Sequence, residues 1–144
     1  MKVFIENEAG SNVKHYHDEK TLEAKGSSRV SRAYPFPYGF VLNTTGGDGD
    51  NVDCFVLTAQ TLRTGQVVEC EPLGLMEQIE DGEEDHKILA GIPEETSRID
   101  ETTRNLLREF VSHVFEHIPG KRIVVGAFQD REAAVRYLQA HVSA

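Results

Sequence analysis

The chain has 144 residues, 39% of them apolar, and its 15 basic against 24 acidic side chains leave a net charge of −9. That length suits a single domain over residues 1–144 with room for a proper core. The acidic balance argues against a nucleic-acid partner, and no apolar run approaches the roughly 20 residues that span a membrane.

The first residues, Met1-Lys2-Val3-Phe4-Ile5-Glu6, carry neither the apolar segment nor the cleavage site of a secretory signal. They read as a first strand over 3–6, and a cytoplasmic setting is expected. A second strand is predicted over 13–17, after the turn Ala9-Gly10-Ser11-Asn12. Residues 25–33, rich in Lys, Ser and Arg, read as an irregular connection. Tyr34-Pro35-Phe36-Pro37-Tyr38-Gly39 cannot be helical, because two prolines hold it extended. A short strand over 40–43, a Gly/Asp loop over 44–51 and an apolar strand over 52–58 follow. Cys54 and Cys70 sit in apolar runs and read as buried thiols rather than a disulfide or a metal pair.

Strand is predicted over 66–76, with Pro72 marking a break or an edge, then an acidic loop over 77–84 and a short strand over 87–90. Leu106, Leu107, Phe110, Val111 and Val114 then recur at helical spacing; Ser97 or Asp100 caps that helix, and Pro119-Gly120 ends it. A last strand over 122–128 leads to Asp130, which caps a C-terminal helix carrying Ala134, Val135, Leu138 and Val142. Short strands first and two helices late imply a mainly β protein with helices, in the α+β class: a small barrel with helices packed outside it.

Chemistry concentrates between these elements. Asp48, Asp50 and Asp53 follow a D-x-D-x-x-D spacing, and Gly49 lets the backbone bend between the first two. Carboxylates this close repel one another unless a cation intervenes, and hard divalent ions take oxygen ligands. An Asx-turn loop is the competing reading, since Asp and Gly are also turn residues. An EF-hand is excluded, because its sixth and twelfth positions would be Asp53 and Ala59 instead of Gly and Glu. A second acidic group, Glu80, Asp81, Glu83, Glu84 and Asp85, precedes Lys87. Alone it is a solvated loop. Beside the first cluster it makes a metal–phosphate site plausible, with Lys, Arg and Tyr holding phosphoryl oxygens.

Other signals weigh less. His113 and His117 have a zinc-compatible i, i+4 spacing, but Val114 stands where a metalloprotease would have Glu, so a surface pair is expected. His15 and His17 share a strand face and could line a site near Lys14. Tyr34, Phe36, Tyr38 and Phe40 alternate, which reads as core for at least two of them.

Taken together, Tyr34-Pro-Phe-Pro-Tyr38-Gly, Gly47-Asp48-Gly-Asp50-Asn-Val-Asp53, Pro72-Leu-Gly-Leu and Gly82-Glu-Glu-Asp85-His-Lys87 resemble the soluble family I inorganic pyrophosphatases, in order and spacing. The resemblance implies a five-stranded OB-like barrel flanked by two α-helices. It implies hydrolysis of pyrophosphate to two phosphates with Mg2+, or Mn2+ and other divalent ions, in a homo-oligomer. By position, Asp48, Asp50, Asp53 and Asp85 would ligate the activating metals, and Asp50 would orient or deprotonate the attacking water. Glu80 would serve the substrate-borne metals, with Glu6 at the site's edge. Lys14, Tyr38 and Lys87 would contact phosphate oxygens.

Departures from the family pattern are specific. Asn51 stands where the signature has proline, and Tyr16 where a glutamate follows the lysine. Lys25, with Arg29 as the other candidate, takes the place of the family's arginine. Val114 and Phe115 fall where a Tyr-Lys pair clamps phosphate. Two alternatives follow: a hydrolase of another phosphoanhydride, or a catalytically impaired relative that binds phosphate compounds. A domain merely stabilised by calcium or magnesium is the third.

Overall fold

The computed structural model describes residues 1–143. Its elements, among the described residues, are β1 (Lys2–Asn7), β2 (Val13–His17), β3 (Ala24–Arg29), β4 (Tyr38–Val41), β5 (Asp53–Val56), β6 (Val67–Glu69), β7 (Glu71–Glu80), β8 (Glu83–Glu84), β9 (Lys87–Gly91), α1 (Glu101–His113), β10 (Ile123–Gln129) and α2 (Arg131–Ala140). The α+β class is as expected. Strand β1 pairs antiparallel with β4, β4 with β5, β5 runs parallel to β9, and β9 pairs antiparallel with β7. On the far edge of β1 lies β6, which continues through Cys70 directly into β7. The run 67–80 therefore meets β1 at its start and β9 further on, so the two ends of the strand order β7-β9-β5-β4-β1-β6 are joined by the chain through Cys70. Strand β10 adds to the outer edge of β7, and β2 with β3 forms a separate hairpin.

Alternation along the strands makes two cores. Val3, Ile5, Val41, Cys54, Val56, Leu75, Ile88 and Ala90 face inward, where Ala134 of α2 joins them. Tyr38, Phe55, Met76 and Leu89 point the other way, against Leu107, Phe110 and Val111 of α1 and Val114 just beyond it. Each large apolar side chain so covered contributes roughly 1.5–3 kcal/mol. Both cysteines are free and buried. Asp100 caps α1 by accepting from the Thr103 amide, and Asp130 caps α2 by accepting from Ala133. Ser97, the other candidate cap, instead donates its hydroxyl to the Leu57 carbonyl at 2.7 Å. Among the described residues no helix is long and apolar enough to cross a membrane.

Several boundaries differ from the sequence expectations. Residues 24–29 are a strand, not an irregular connection, paired in register Lys14↔Ser28. All six are exposed, so no apolar alternation announces them. The acidic segment from Glu77 to Glu80 is the end of β7, because β10 pairs along it from Leu75 to Glu80. The loop shrinks to Asp81 and Gly82, with φ of 51° and 84°, as a tight hairpin turn requires. Strand β5 covers only Asp53–Val56, and β4 starts at Tyr38. Pro72 coincides with a register shift against β9 between Pro72 and Gly74. Leu106 of the expected apolar stripe is 47% exposed, and Val142 lies beyond α2, with its backbone bridging to Thr44.

Candidate active site

The face of the barrel turned toward α1 does not end in hydrocarbon. Two residues before Phe55, Asp53 shares its side of β5; Lys87 shares that of Leu89 on β9; Gln78 and Glu80 continue the side of Met76 on β7. The parallel register Cys54↔Ile88 brings Asp53 beside Lys87. Lys87 is 5% exposed, and its ammonium donates to Asp53 Oδ2 at 2.7 Å and to Asp85 Oδ2 at 2.9 Å. Burial works against its charge, but the two carboxylates prevail and hold its pKa well above the ordinary lysine value.

From the loop before β5, Asp48 accepts a hydrogen bond from the Asp50 amide at 3.0 Å around Gly49, whose φ is +87°. The Asx-turn reading and the site reading thus describe the same residues. Asn51, where the family pattern has proline, uses the amide that proline lacks: it donates to Glu19 Oε1 at 2.9 Å, tying the loop to the segment after β2. Burial, then the charges of Asp53 and Asp50, push the Glu19 carboxyl up to about 8. Burial also raises Asp48, against its backbone hydrogen bond.

One cavity of about 790 Å³ is lined by every predicted site residue: Glu6, Lys14, Lys25, Tyr38, Asp48, Asp50, Asp53, Glu80, Asp85 and Lys87. Arg29 is not among its walls, which favours Lys25 of the two candidates; His17 lines it and His15 does not. Glu6 accepts from the His17 amide at 3.1 Å and meets its ring Nδ1 at 3.2 Å. Burial raises its pKa, opposed by Lys14 and His17. The Lys14 ammonium lies 5.4 Å from both the Tyr16 and Tyr38 ring centres. Burial first, then Asp53 and Asp85, keep the Tyr38 phenol protonated and able to donate.

Among the described residues no three carboxylate, histidine or thiol groups converge as a finished ion cage. The donor set nevertheless fits a hard divalent ion. It is all oxygen, and Asp53 and Asp85 already converge on a single cation, the Lys87 ammonium. The expected histidine pair does not assemble: α1 ends at His113, so His117 lies beyond the helix, and His113 Nδ1 meets Glu109 O while His117 Nδ1 meets Ser31 Oγ.

Among the lining residues that sequence reasoning missed, Glu19, Gln78 and Lys121 matter most. Glu19 carries no signal beyond its charge. Gln78 is a polar residue at a core-facing strand position, and its buried Oε1 has no hydrogen-bond partner. Lys121 follows the Gly120 turn, with its ammonium 3.3 Å from Glu80 and 3.4 Å from Asp81. The wall beside it is apolar: Val114, Phe115 and Ile118.

A family model described as inorganic pyrophosphatase matches residues 3–144. An inorganic pyrophosphatase of Thermoplasma volcanium is 34% identical, over 94% of this chain and 88% of its own length. One of Halalkalibacterium halodurans is 30% identical, over 96% and 90%. Among solved structures, an inorganic pyrophosphatase from Coxiella burnetii superposes with a TM-score of 0.89 at 27% identity, over 98% of this chain and 92% of that one. That of Thermus thermophilus gives 0.88 at 27%, over 97% and 87%.

Proposed function

The chain belongs to the inorganic pyrophosphatase family, and on that premise we propose that it hydrolyses pyrophosphate to two phosphates with divalent metal ions, magnesium first and manganese as an alternative. The observation that carries the assignment of the site is the buried Asp53–Lys87–Asp85 contact at the floor of a cavity that also gathers Asp48, Asp50 and Lys14.

Asp48, Asp50, Asp53 and Asp85 would hold the activating ions, and Glu80 an ion carried in with the substrate. Such ions, when bound, supply charge neutralisation at the phosphoryl oxygens and a coordinated water of lowered pKa. Asp50, on the exposed loop, would orient an attacking water or take its proton. Tyr38, kept neutral by burial, donates to a phosphoryl oxygen. Lys87 is pinned by two carboxylates and presents fixed positive charge; Lys14 and Lys25 reach in from the β2–β3 hairpin. Glu6 orients that hairpin through His17. A cytoplasmic homo-oligomer completes the proposal. Ile79 and Val124, cross-strand neighbours that are both exposed, support a contact between copies, which light scattering tests.

The decisive experiment is phosphate release from pyrophosphate, triphosphate and nucleoside triphosphates with magnesium or manganese. Pyrophosphate is expected to be turned over fastest. Release from none of them would overturn the enzymatic reading and favour the phosphate-binding alternative, whose one support is the apolar wall at Val114, Phe115 and Ile118.

A further inference from the structure

We propose that Lys121 is an additional substrate-binding residue, donating to a phosphoryl oxygen on the side of the cavity where α1 and the turn after it offer only hydrocarbon. The inference rests on the pyrophosphatase reading above.

Val114, Phe115 and Ile118 line that side. None of them can hydrogen-bond a phosphoryl oxygen, so a highly charged anion placed against them loses water without replacement. Lys121 stands at the edge of the same wall, on the turn between α1 and β10, with its ammonium 5.5 Å from the Phe115 ring centre. It is held by two carboxylates of different kinds. Asp81 is locked in place: its Oδ1 accepts from the Arg122 amide at 2.8 Å, and its own amide donates to the Arg122 carbonyl at 2.8 Å. Glu80 lines the cavity and has no such anchor among its hydrogen bonds. Once Glu80 turns to a metal-bearing substrate, the ammonium is free on its cavity side while Asp81 still holds it from behind. A partly exposed four-carbon stem gives the reach for that exchange. This residue thus supplies, from the end of the turn, the positive charge that Val114 and Phe115 just past α1 do not supply.

The test compares wild type with Lys121→Met, Lys121→Gln and Lys121→Arg. Binding of methylenediphosphonate with magnesium is measured by calorimetry, and kcat and KM for pyrophosphate by phosphate release. Loss of one charge-assisted hydrogen bond corresponds to about 10- to 100-fold weaker binding. Both neutral variants are expected to show that loss and a matching rise in KM, with a much smaller change in kcat. Lys121→Arg recovers most of it, and the magnesium concentration for half-activation stays unchanged. A purely structural lysine would move the melting temperature without this split. Unchanged binding and KM in both neutral variants of an active enzyme would overturn the proposal alone. A wild type that neither binds the analogue nor hydrolyses pyrophosphate would overturn the functional reading, and this proposal with it.

Discussion

Replacing Lys87 by Met removes a buried charge while keeping length and volume. The residue is 5% exposed and its ammonium donates to Asp53 and Asp85 at 2.7 and 2.9 Å, so its loss leaves two carboxylates facing each other without a cation. Removing one partner of a buried ion pair costs about 3–5 kcal/mol. The two aspartates each keep 20% side-chain exposure, so water recovers part of this and ~3 kcal/mol is expected. At about 2–4 °C per kcal/mol for a chain near this size, the metal-free melting temperature falls by about 6–12 °C. The pKa of Lys87 is raised above its ordinary 10.5, so its contribution is complete below that value and is lost only as pH climbs through the raised one. The gap between wild type and Lys87→Met should therefore stay constant from about pH 6 to 9. Magnesium then separates this account from a simple packing defect. A divalent ion can occupy the place the ammonium left, and at 100 times its dissociation constant it returns about 2.7 kcal/mol. Thermal melts with chelator and with magnesium check both parts. A fall of less than about 2 °C, or a smaller magnesium shift in Lys87→Met than in wild type, would refute the reasoning.

Asp50→Asn leaves the exposed loop folded, with a melting temperature within about 2 °C of wild type, and lowers phosphate release by about 10²–10⁴-fold, as expected for a lost general base; a rate near wild type would remove Asp50 from that role. Glu19, with its carboxyl pushed up to about 8 from an ordinary 4.5, keeps a proton in the folded state that the unfolded chain has released, so metal-free stability falls as pH rises through that window. Glu19→Gln removes this slope: its melting temperature matches wild type near pH 5 and exceeds it near pH 8, whereas parallel curves would show the carboxyl to be ordinary. Gln78→Met replaces a buried, unpartnered amide oxygen by hydrocarbon and should raise stability by about 1 kcal/mol, seen as a melting temperature higher by about 2–4 °C. A lower one would mean that the amide has a partner in solution.

How far the site could be read in advance follows from how local each signal is. Asp48, Asp50, Asp53, Asp85 and Lys87 lie within 40 positions of one another on or beside two strands, so their motifs are legible locally, and the parallel register of β5 and β9 brings them to one face. Glu19 and Lys121 reach the same cavity from opposite ends of the chain, through a hairpin and a post-helical turn that local pattern does not orient. Gln78 was hidden in a segment that composition reads as a loop. Its acidic neighbours favour solvent, but β10, more than 40 residues later, pairs with that segment and makes it strand. Strand β3 is the converse case: a paired element with no buried face, held by backbone hydrogen bonds that leave no mark on side-chain pattern.

The sequence by itself determined the α+β class, the capped helices, and the carboxylate run from Asp48 to Asp53. These depend on periodicity and spacing, which are written locally. Tertiary structure decided what those carboxylates meet. Asp53 finds Lys87 because β5 and β9 run parallel in one register, and Asn51 finds Glu19 because the β2–β3 hairpin folds over the loop. The positive charge beside the helix likewise comes from Lys121 on the turn after it, a position set by how β10 returns to β7 rather than by any helical repeat.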